Sequence, residues 1–371
     1  MRSPLSALPR RQRSVSVSER GASRRPTLRH AAGLATAAML LAGFVIPVNF
    51  VTEEPGPTFN TIGDYEGKQL IDIEGTKTYG VSGNLDMTTV SVAGGPNTHL
   101  GALQALGTWL QPNTTVLPSD LLYSHTVTSQ EVHEQNTADM TNSQEIAQAA
   151  ALNYLKKPVT EKLTVSSVVN DGASVGKLQE GDVLQKIDST SITAFGQIFD
   201  VLSKTKDQPV NVTVLRDGKT VTEKITPKLN TANNQYLLGV SIKRDYNFPF
   251  TVKYGLEEVG GPSAGMMFSL GIIDELTPDD MTGGKHFAGT GTIESDGTVG
   301  PIGGIAQKMV GAHESGATIF LAPSDNCDEV VDHVPDGMSV IKVSKLSDAV
   351  EAVTEVGKGK DPASLPTCTA K

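Results

Sequence analysis

Residues 31–51, AAGLATAAMLLAGFVIPVNFV, run for 21 positions without a charged side chain. That is about the length a helix needs to cross the apolar core of a bilayer. Eight arginines and one acid, Glu19, occupy the 30 residues before it, and Glu53 and Glu54 follow it. Such an asymmetry places the N-terminus on the cytoplasmic side. A cleaved signal peptide fits less well. The small residues Ala35, Ala37 and Ala38 come early, and the IPVNFV end lacks a small-x-small cleavage pattern. The sequence therefore predicts a basic cytoplasmic tail over 1–30, an uncleaved transmembrane anchor over 31–51, and a folded portion outside the cytoplasm.

The net charge of −10 divides into +7 over the first 30 residues and −17 over the rest. An acidic body argues against nucleic acid as the main partner, because phosphate neutralisation needs clustered Lys and Arg. Hydrophobic residues make up 38% and charged residues 19% of the chain, enough to fill more than one core. The two cysteines, Cys327 and Cys368, both follow the apolar run. In an oxidising compartment they can pair and tie the tail over 356–371 to the body; two buried thiols are the alternative. Two ligands are too few for a zinc site, and no residue pattern calls for a cofactor.

Past the apolar run, EEPGPTF reads as a short stiff linker. GNLDMTTVSVAGG, with Met87, Val90 and Val92, reads as a strand. ALQALGTWLQP reads as a helix that stops before Pro112. NSQEIAQAAALNYLKKP, from Asn142 to Pro158, is a second helix, capped by Asn142 or Ser143, with Lys156 and Lys157 at its C-terminal end. The texture changes between Lys162 and Lys228. There LTVSSVV, DVLQKID, VNVTVLRDG and VTEKITP surround one helix, FGQIFDVLSKT, as a small β-rich unit over 160–230. After the polar boundary LNTANNQ, strands and helices alternate over 236–355 (YLLGVSIKRDY, GGPSAGMMFSLGIIDEL, IAQKMVGAHESG, ATIFLAP, LSDAVEAV), which indicates an α/β or α+β domain.

The most unusual of these elements is the helix entry GGPSAG. Ser263 stands among residues with almost no side chain, where a substrate backbone can approach closely. The helix start also offers unpaired N–H groups and the positive end of the dipole. These conditions suit a nucleophile and equally suit an N-cap. The histidines, among them His125, His133, His286 and His313, offer no marked base. Lys308 lies one turn into a helix whose Ile305, Met309 and Val310 face a core. An apolar pocket lowers a lysine's pKa, and the neutral amine can take a proton from a hydroxyl. A surface lysine with a buried stem is the alternative.

MTNSQEIAQAAALNYL, GPSAGMMFSLGIIDELT and AGTGTIESDGTVGPIGGIAQKMVGAHESGATIFLAP together resemble the proteolytic domain of the Lon family of serine–lysine peptidases. They follow that family's order and nearly its spacing. The β-rich unit, above all EGDVL..ID at Glu180–Asp188, resembles a bacterial PDZ domain. The whole arrangement resembles the membrane-anchored, PDZ-containing Lon-like peptidases of Gram-positive bacteria. The resemblance implies an α+β fold: a Lon-type domain in two parts, 60–158 and 236–355, with a PDZ-like domain inserted and one transmembrane helix ahead of it. It assigns Ser263 as nucleophile, Lys308 as general base and Thr290 as the hydroxyl that holds the lysine. Backbone amides over Gly261, Pro262, Ser263 and Ala264 would form the oxyanion hole. Gly260 stands where many Lon enzymes carry an aspartate, and Ala306 where they carry a lysine.

A PDZ domain binds an extended peptide as an added strand. Its carboxylate-binding loop would precede LTVSSVV, yet KKPVTEK there lacks the Gly-hydrophobic-Gly-hydrophobic signature. No G-x-x-x-x-G-K-[ST] loop occurs in the sequence. The expectation is ATP-independent cleavage of flexible or unfolded polypeptides outside the membrane, with a homo-oligomer by analogy to Lon rings. The rival is a peptide-binding sensor or scaffold that does not cleave.

Overall fold

The computed structural model describes residues 28–96, 100–124, 127–231, 233–256 and 259–369, with side chains from His30 onward. The basic tail before Leu28 and His125 lie outside the described residues.

The predicted 31–51 helix is shorter than its apolar run. Helix α1, Leu28–Val45, stops two residues before Pro47, whose ring disfavours helix at the residue ahead of it. The chain then extends, and strand β1, Phe50–Asn60, carries Val51 and Thr52 into the core at 0% and 1% exposure. Val51 is apolar because a protein core surrounds it, which hydropathy alone does not distinguish from lipid. Among the described residues no helix is long and apolar enough to cross a membrane.

EEPGPTF is not a linker but the middle of β1. Its prolines fit because the register against the next strand, β2 (Asn84–Ala93), shifts between Pro55 and Thr58. Helix α2, Ala102–Trp109, leads to strand β3, Thr115–Pro118, on the other side of β1. Helix α3 runs from Ser129 to Tyr154 and starts well before Asn142. Its cap is Thr128, whose hydroxyl accepts from the Glu131 N–H while the Glu131 carboxylate accepts from the Thr128 N–H. The first turns of α3 are polar and exposed, so they carry no apolar periodicity to read.

The inserted unit comprises β4 (Thr160–Val168), β5 (Val183–Ile187), helix α4 (Gly196–Thr205), β6 (Val210–Arg216), β7 (Lys219–Ile225) and β8 (Val240–Asn247). Its strands lie in the order β7-β6-β5-β4-β8 over a core of its own, including Leu163, Ile187, Leu202 and Val212. Strand β8 pairs antiparallel with the length of β4, from Val240–Val168 to Asn247–Thr160. The unit therefore reaches Asn247 rather than ending at 230. YLLGVSIKRDY is its edge strand and not the first strand of the C-terminal α/β portion.

The chain then returns to the first sheet through helix α5 (Gly265–Leu276), β9 (His286–Gly289), the small hairpin β10 (Thr292–Ile293) and β11 (Val299–Gly300), helix α6 (Ile305–Glu314), β12 (Ile319–Pro323), β13 (Ser339–Val343) and helix α7 (Leu346–Gly357). The sheet order is β13-β12-β9-β2-β1-β3. Four strands, β13, β12, β9 and β2, run parallel; β1 joins β2 antiparallel, and β3 joins β1 antiparallel at the far edge. Side chains alternate between two cores. Phe287, Leu321 and Ile341 face α3, α5 and α7, whereas Ala288, Phe320 and Val340 face α6. Cys327 and Cys368 form a disulfide, and the tail also pairs with β13 through Lys342 N–H to Pro366 O and Thr367 Oγ1 to Val340 O.

Candidate active site

The GGPSAG entry to α5 has steric causes. Gly261 sits at φ +88°, a left-handed conformation that favours glycine. A Cβ on Gly265 would lie 2.7 Å from Ile293 Cγ2 and 2.9 Å from Ser143 Oγ. The N-cap residue is Ala264, which makes no side-chain capping bond. The Ser263 hydroxyl is thus not used as a cap. It lies one residue further out and is free to interact elsewhere.

Strand β9 is short and ends at Gly289, whereas its neighbour β2 continues past Met87. The chain leaving β9 folds over the start of α5. Gly291 N–H donates to the Ser263 carbonyl at 2.8 Å, and the Thr290 hydroxyl donates to the same oxygen at 3.0 Å. Met266 N–H in turn donates to Gly291 O at 3.0 Å. Ser263 is therefore held by its own carbonyl, which leaves its Oγ to point into the space beyond the strand end.

Lys308 reaches that space from the other layer. Its helix, α6, packs on the opposite face of the sheet from α5, and its Nζ passes the end of β9 to lie 2.7 Å from Ser263 Oγ and 3.0 Å from Thr290 Oγ1. Lys308 is 2% exposed and Thr290 is fully buried. Burial of the amine pulls the Lys308 pKa down from 10.5 to about 8. The structure thus brings Ser263, Lys308 and Thr290 together, as a hydroxyl, a base that is partly neutral near pH 8, and a hydroxyl that fixes the base.

The quartet of backbone donors needs correction. Pro262 has no N–H, and Gly261 N–H already donates to Asn136 O at 3.0 Å. The amides of Ser263 and Ala264 remain from that set. The dyad opens into a cleft of about 530 Å³ whose walls include Thr88, Val90, Val92, Tyr123, Met140 and Val259. Among the histidines, His286 pairs with Asp86 at 2.7 Å on the far stretch of β9, and neither His133 nor His313 lines the cleft.

With this geometry in place, the likeness to known proteins becomes specific. Residues 249–355 match the Lon protease (S16) C-terminal proteolytic domain, and residues 130–226 match the PDZ domain family. The chain carries a Lon-type proteolytic domain and a PDZ domain. A Lon protease of Campylobacter concisus is 32% identical over 169 residues, which covers 43% of this chain and 20% of the relative. The archaeal Lon protease of Archaeoglobus fulgidus is 23% identical over 218 residues, 58% of this chain and 33% of the relative. The chain thus spans a third or less of the length of these curated relatives. The PDZ domain of the SdrC-like protein of Listeria innocua aligns in structure at 21% identity, covering 22% of this chain and 92% of that one, with a TM-score of 0.21.

The groove expected of the PDZ-like unit is present, but its loop lies where the sequence reading did not place it. An apolar groove lies between the edge strand β8 and helix α4, lined by Val240, Ile242, Phe195, Ile198 and Leu202 among others. Leu237-Leu238-Gly239-Val240 enters that strand, with Gly239 at φ +74°. A Cβ there would lie 2.7 Å from the Gly172 Cα. The hydrophobic-Gly-hydrophobic half of the loop signature is present, then, but ahead of β8 and not ahead of β4. Its position follows from the strand order, in which the exposed edge comes last in the chain. The signal was in the sequence, and only its placement was unexpected.

Proposed function

We propose that this chain is a serine endopeptidase that works through a Ser263–Lys308 dyad on flexible or unfolded polypeptides, without ATP. The observation that carries the reading is the 2.7 Å contact between a buried lysine amine and the Ser263 hydroxyl. Neutral Lys308 accepts the Ser263 proton as Oγ attacks the scissile carbonyl carbon. Negative charge then develops on the carbonyl oxygen near the Ser263 and Ala264 amides. The ammonium gives its proton to the leaving amine as the C–N bond breaks. Water, deprotonated by the same amine, releases the acyl group. Thr290 accepts an N–H of Lys308 and donates to the Ser263 carbonyl, so the lone pair of the amine is aimed at Oγ.

An extended substrate fits the cleft as an added strand. β1 pairs with one edge of β2 at Val90 to Val92, while β9 pairs with the other edge only as far as Met87. The unpaired edge past Met87 faces the dyad and can accept main-chain hydrogen bonds from a peptide. The groove between β8 and α4 binds a second peptide segment in the same way, with the Leu237–Val240 loop at its end. ATP independence rests on the lack of a phosphate loop in the sequence. Attachment to a membrane rests on the arginine bias and on the exposure of Leu34, Met39, Leu41 and Val45 along α1, a helix that is not long and apolar enough to cross the bilayer by itself.

The full chain, incubated with an unfolded protein in the absence of nucleotide, is expected to generate new termini detectable by mass spectrometry. Ser263→Ala and Lys308→Met are expected to generate none. No cleavage by wild type would leave the chain a peptide-binding scaffold, and equal cleavage by Ser263→Ala would remove Ser263 as the nucleophile.

A further inference from the structure

The turn that follows the dyad's threonine is held by the PDZ domain. Ser295, between β10 and β11, donates its hydroxyl to Glu161 Oε2 of β4 at 3.0 Å, and its carbonyl accepts from Asn153 Nδ2 of α3 at 2.7 Å. Beside it, Glu294 Oε2 pairs with Arg244 Nη1 of β8 at 2.7 Å. The Arg244 guanidinium lies over the Phe195 ring, 3.9 Å from its centroid. Glu161 also accepts from Phe195 N–H at 3.3 Å and from the Tyr246 hydroxyl at 3.2 Å, which ties the start of α4 and the end of β8 to the same turn. Three residues before Glu294 is Gly291, whose N–H holds the Ser263 carbonyl.

Arg244 also stands at the end of the PDZ groove. Side chains alternate along a strand, so Val240, Ile242 and Arg244 share one face of β8. The first two line the groove, and so does Phe195 beneath the guanidinium. A peptide laid along β8 from Gly239 advances about 3.3 Å per residue, so a ligand of about five residues reaches Arg244. A shorter one does not.

We propose that the Arg244–Glu294 pair couples occupancy of the PDZ groove to the dyad. With the groove empty, the pair holds the Glu294–Ser295 turn, and through β10 keeps Gly291 and Thr290 against Ser263. A peptide long enough to cover Phe195 displaces Arg244, releases Glu294 and lowers turnover. Arg244 and Glu294 are positioning residues, because neither lines the catalytic cleft. The inference rests on the peptidase reading and on the groove binding a peptide.

The test uses the full chain and three readouts. Fluorescence anisotropy follows binding of a labelled six-residue apolar peptide with a free C-terminal carboxylate. Turnover is followed on a separate short quenched peptide, and amide hydrogen exchange is followed over residues 286–298. In wild type the six-residue peptide is expected to lower kcat about 5- to 10-fold, at the low end of coupling between sites, with KM unchanged. It is also expected to speed exchange in the 290–298 segment. A three-residue peptide with the same C-terminus is expected to bind without either effect. Glu294→Ala is expected to bring kcat to the peptide-bound level by itself, after which the peptide binds and changes nothing further, a non-additivity that simple destabilisation does not give.

Binding to wild type with kcat and exchange both unchanged would overturn the proposal, as would additive effects of the peptide and Glu294→Ala. Failure of the peptide to bind would overturn it together with the groove it requires. A wild type without turnover would remove the peptidase reading alone, because hydrogen exchange still reports the coupling: faster exchange on binding would support it, and unchanged exchange would overturn it.

Discussion

Lys308 and Ser263 meet at 2.7 Å although their helices lie on opposite faces of the same sheet. The contact exists because β9 ends at Gly289, so the lysine passes around a strand end and not through the sheet. An amine reaching a hydroxyl along that route is enclosed by protein and loses water. The same topology thus brings the base to the nucleophile and lowers its pKa.

Thr290 tests the orientation of that amine. Thr290→Val keeps the side-chain shape but removes the acceptor for Lys308 and the donor to the Ser263 carbonyl. We expect kcat to fall about tenfold, the scale of one lost hydrogen bond. The acceptor favours the charged amine, so its loss should also move the rising limb of the pH–rate profile below that of wild type. Steady-state kinetics across pH checks both, and an unchanged profile would remove Thr290 from the site.

Holding a lysine in this place costs stability. Its pKa is about 8 in the folded chain against 10.5 in the ordinary state, so the unfolded chain binds the proton more tightly. Stability therefore rises with pH between about 8 and 10.5, and below that window the penalty is about 3 kcal/mol. Lys308→Met is expected to be inactive but to melt at a higher temperature than wild type at pH 7. Its advantage should shrink as pH approaches 10. Thermal melts at pH 6, 8 and 10 would reveal the convergence.

The far end of α5 carries the opposite sign. Burial, with the charges of Asp274 and Asp72, raises the Glu275 pKa from 4.5 to about 7, and burial raises Asp274 to about 6. The folded chain holds these protons more tightly, so it loses stability as pH rises from about 4.5 through 7. Glu275→Gln is expected to melt at a higher temperature than wild type at pH 8 and at the same temperature near pH 4. A uniform shift at both values would contradict the assignment.

The residues alone left Ser263 open as an N-cap and Lys308 open as a surface lysine. The Lon resemblance decided for the dyad and supplied Thr290, and it could do so because its motifs are local. Ser263 with its small neighbours, Thr290 in its GTG turn and Lys308 one turn into a helix are each set by a few adjacent positions. What escaped depends on partners distant in sequence. Pro55 and Pro57 read as a linker because the bulge that accommodates them is visible only against β2. Val51 reads as membrane because hydropathy does not say which surroundings it meets. Strand β8 is legible as a strand, but its place at the PDZ edge is decided by pairing with β4, more than 70 residues earlier.

The disulfide offers a separate check on the tail. Cys327 and Cys368 are 41 residues apart, a loop whose closure is worth about 4 kcal/mol at most. Thr367 and Pro366 hold part of the tail to β13 independently, so the loss on reduction should be smaller. We expect denaturant unfolding to shift to lower concentration on adding reductant, with the dyad's kinetics at 25 °C unchanged. Equal unfolding with and without reductant would mean the pair adds nothing to stability.

The most direct test of the dyad is the initial rate of cleavage of one short peptide by the wild-type chain from pH 6 to pH 10. Lys308 as general base predicts that kcat/KM rises tenfold per pH unit at the acid end and levels off above about 8, as the amine becomes neutral. A rate that is flat across this range, or that levels off near pH 6, would mean that another group takes the Ser263 proton.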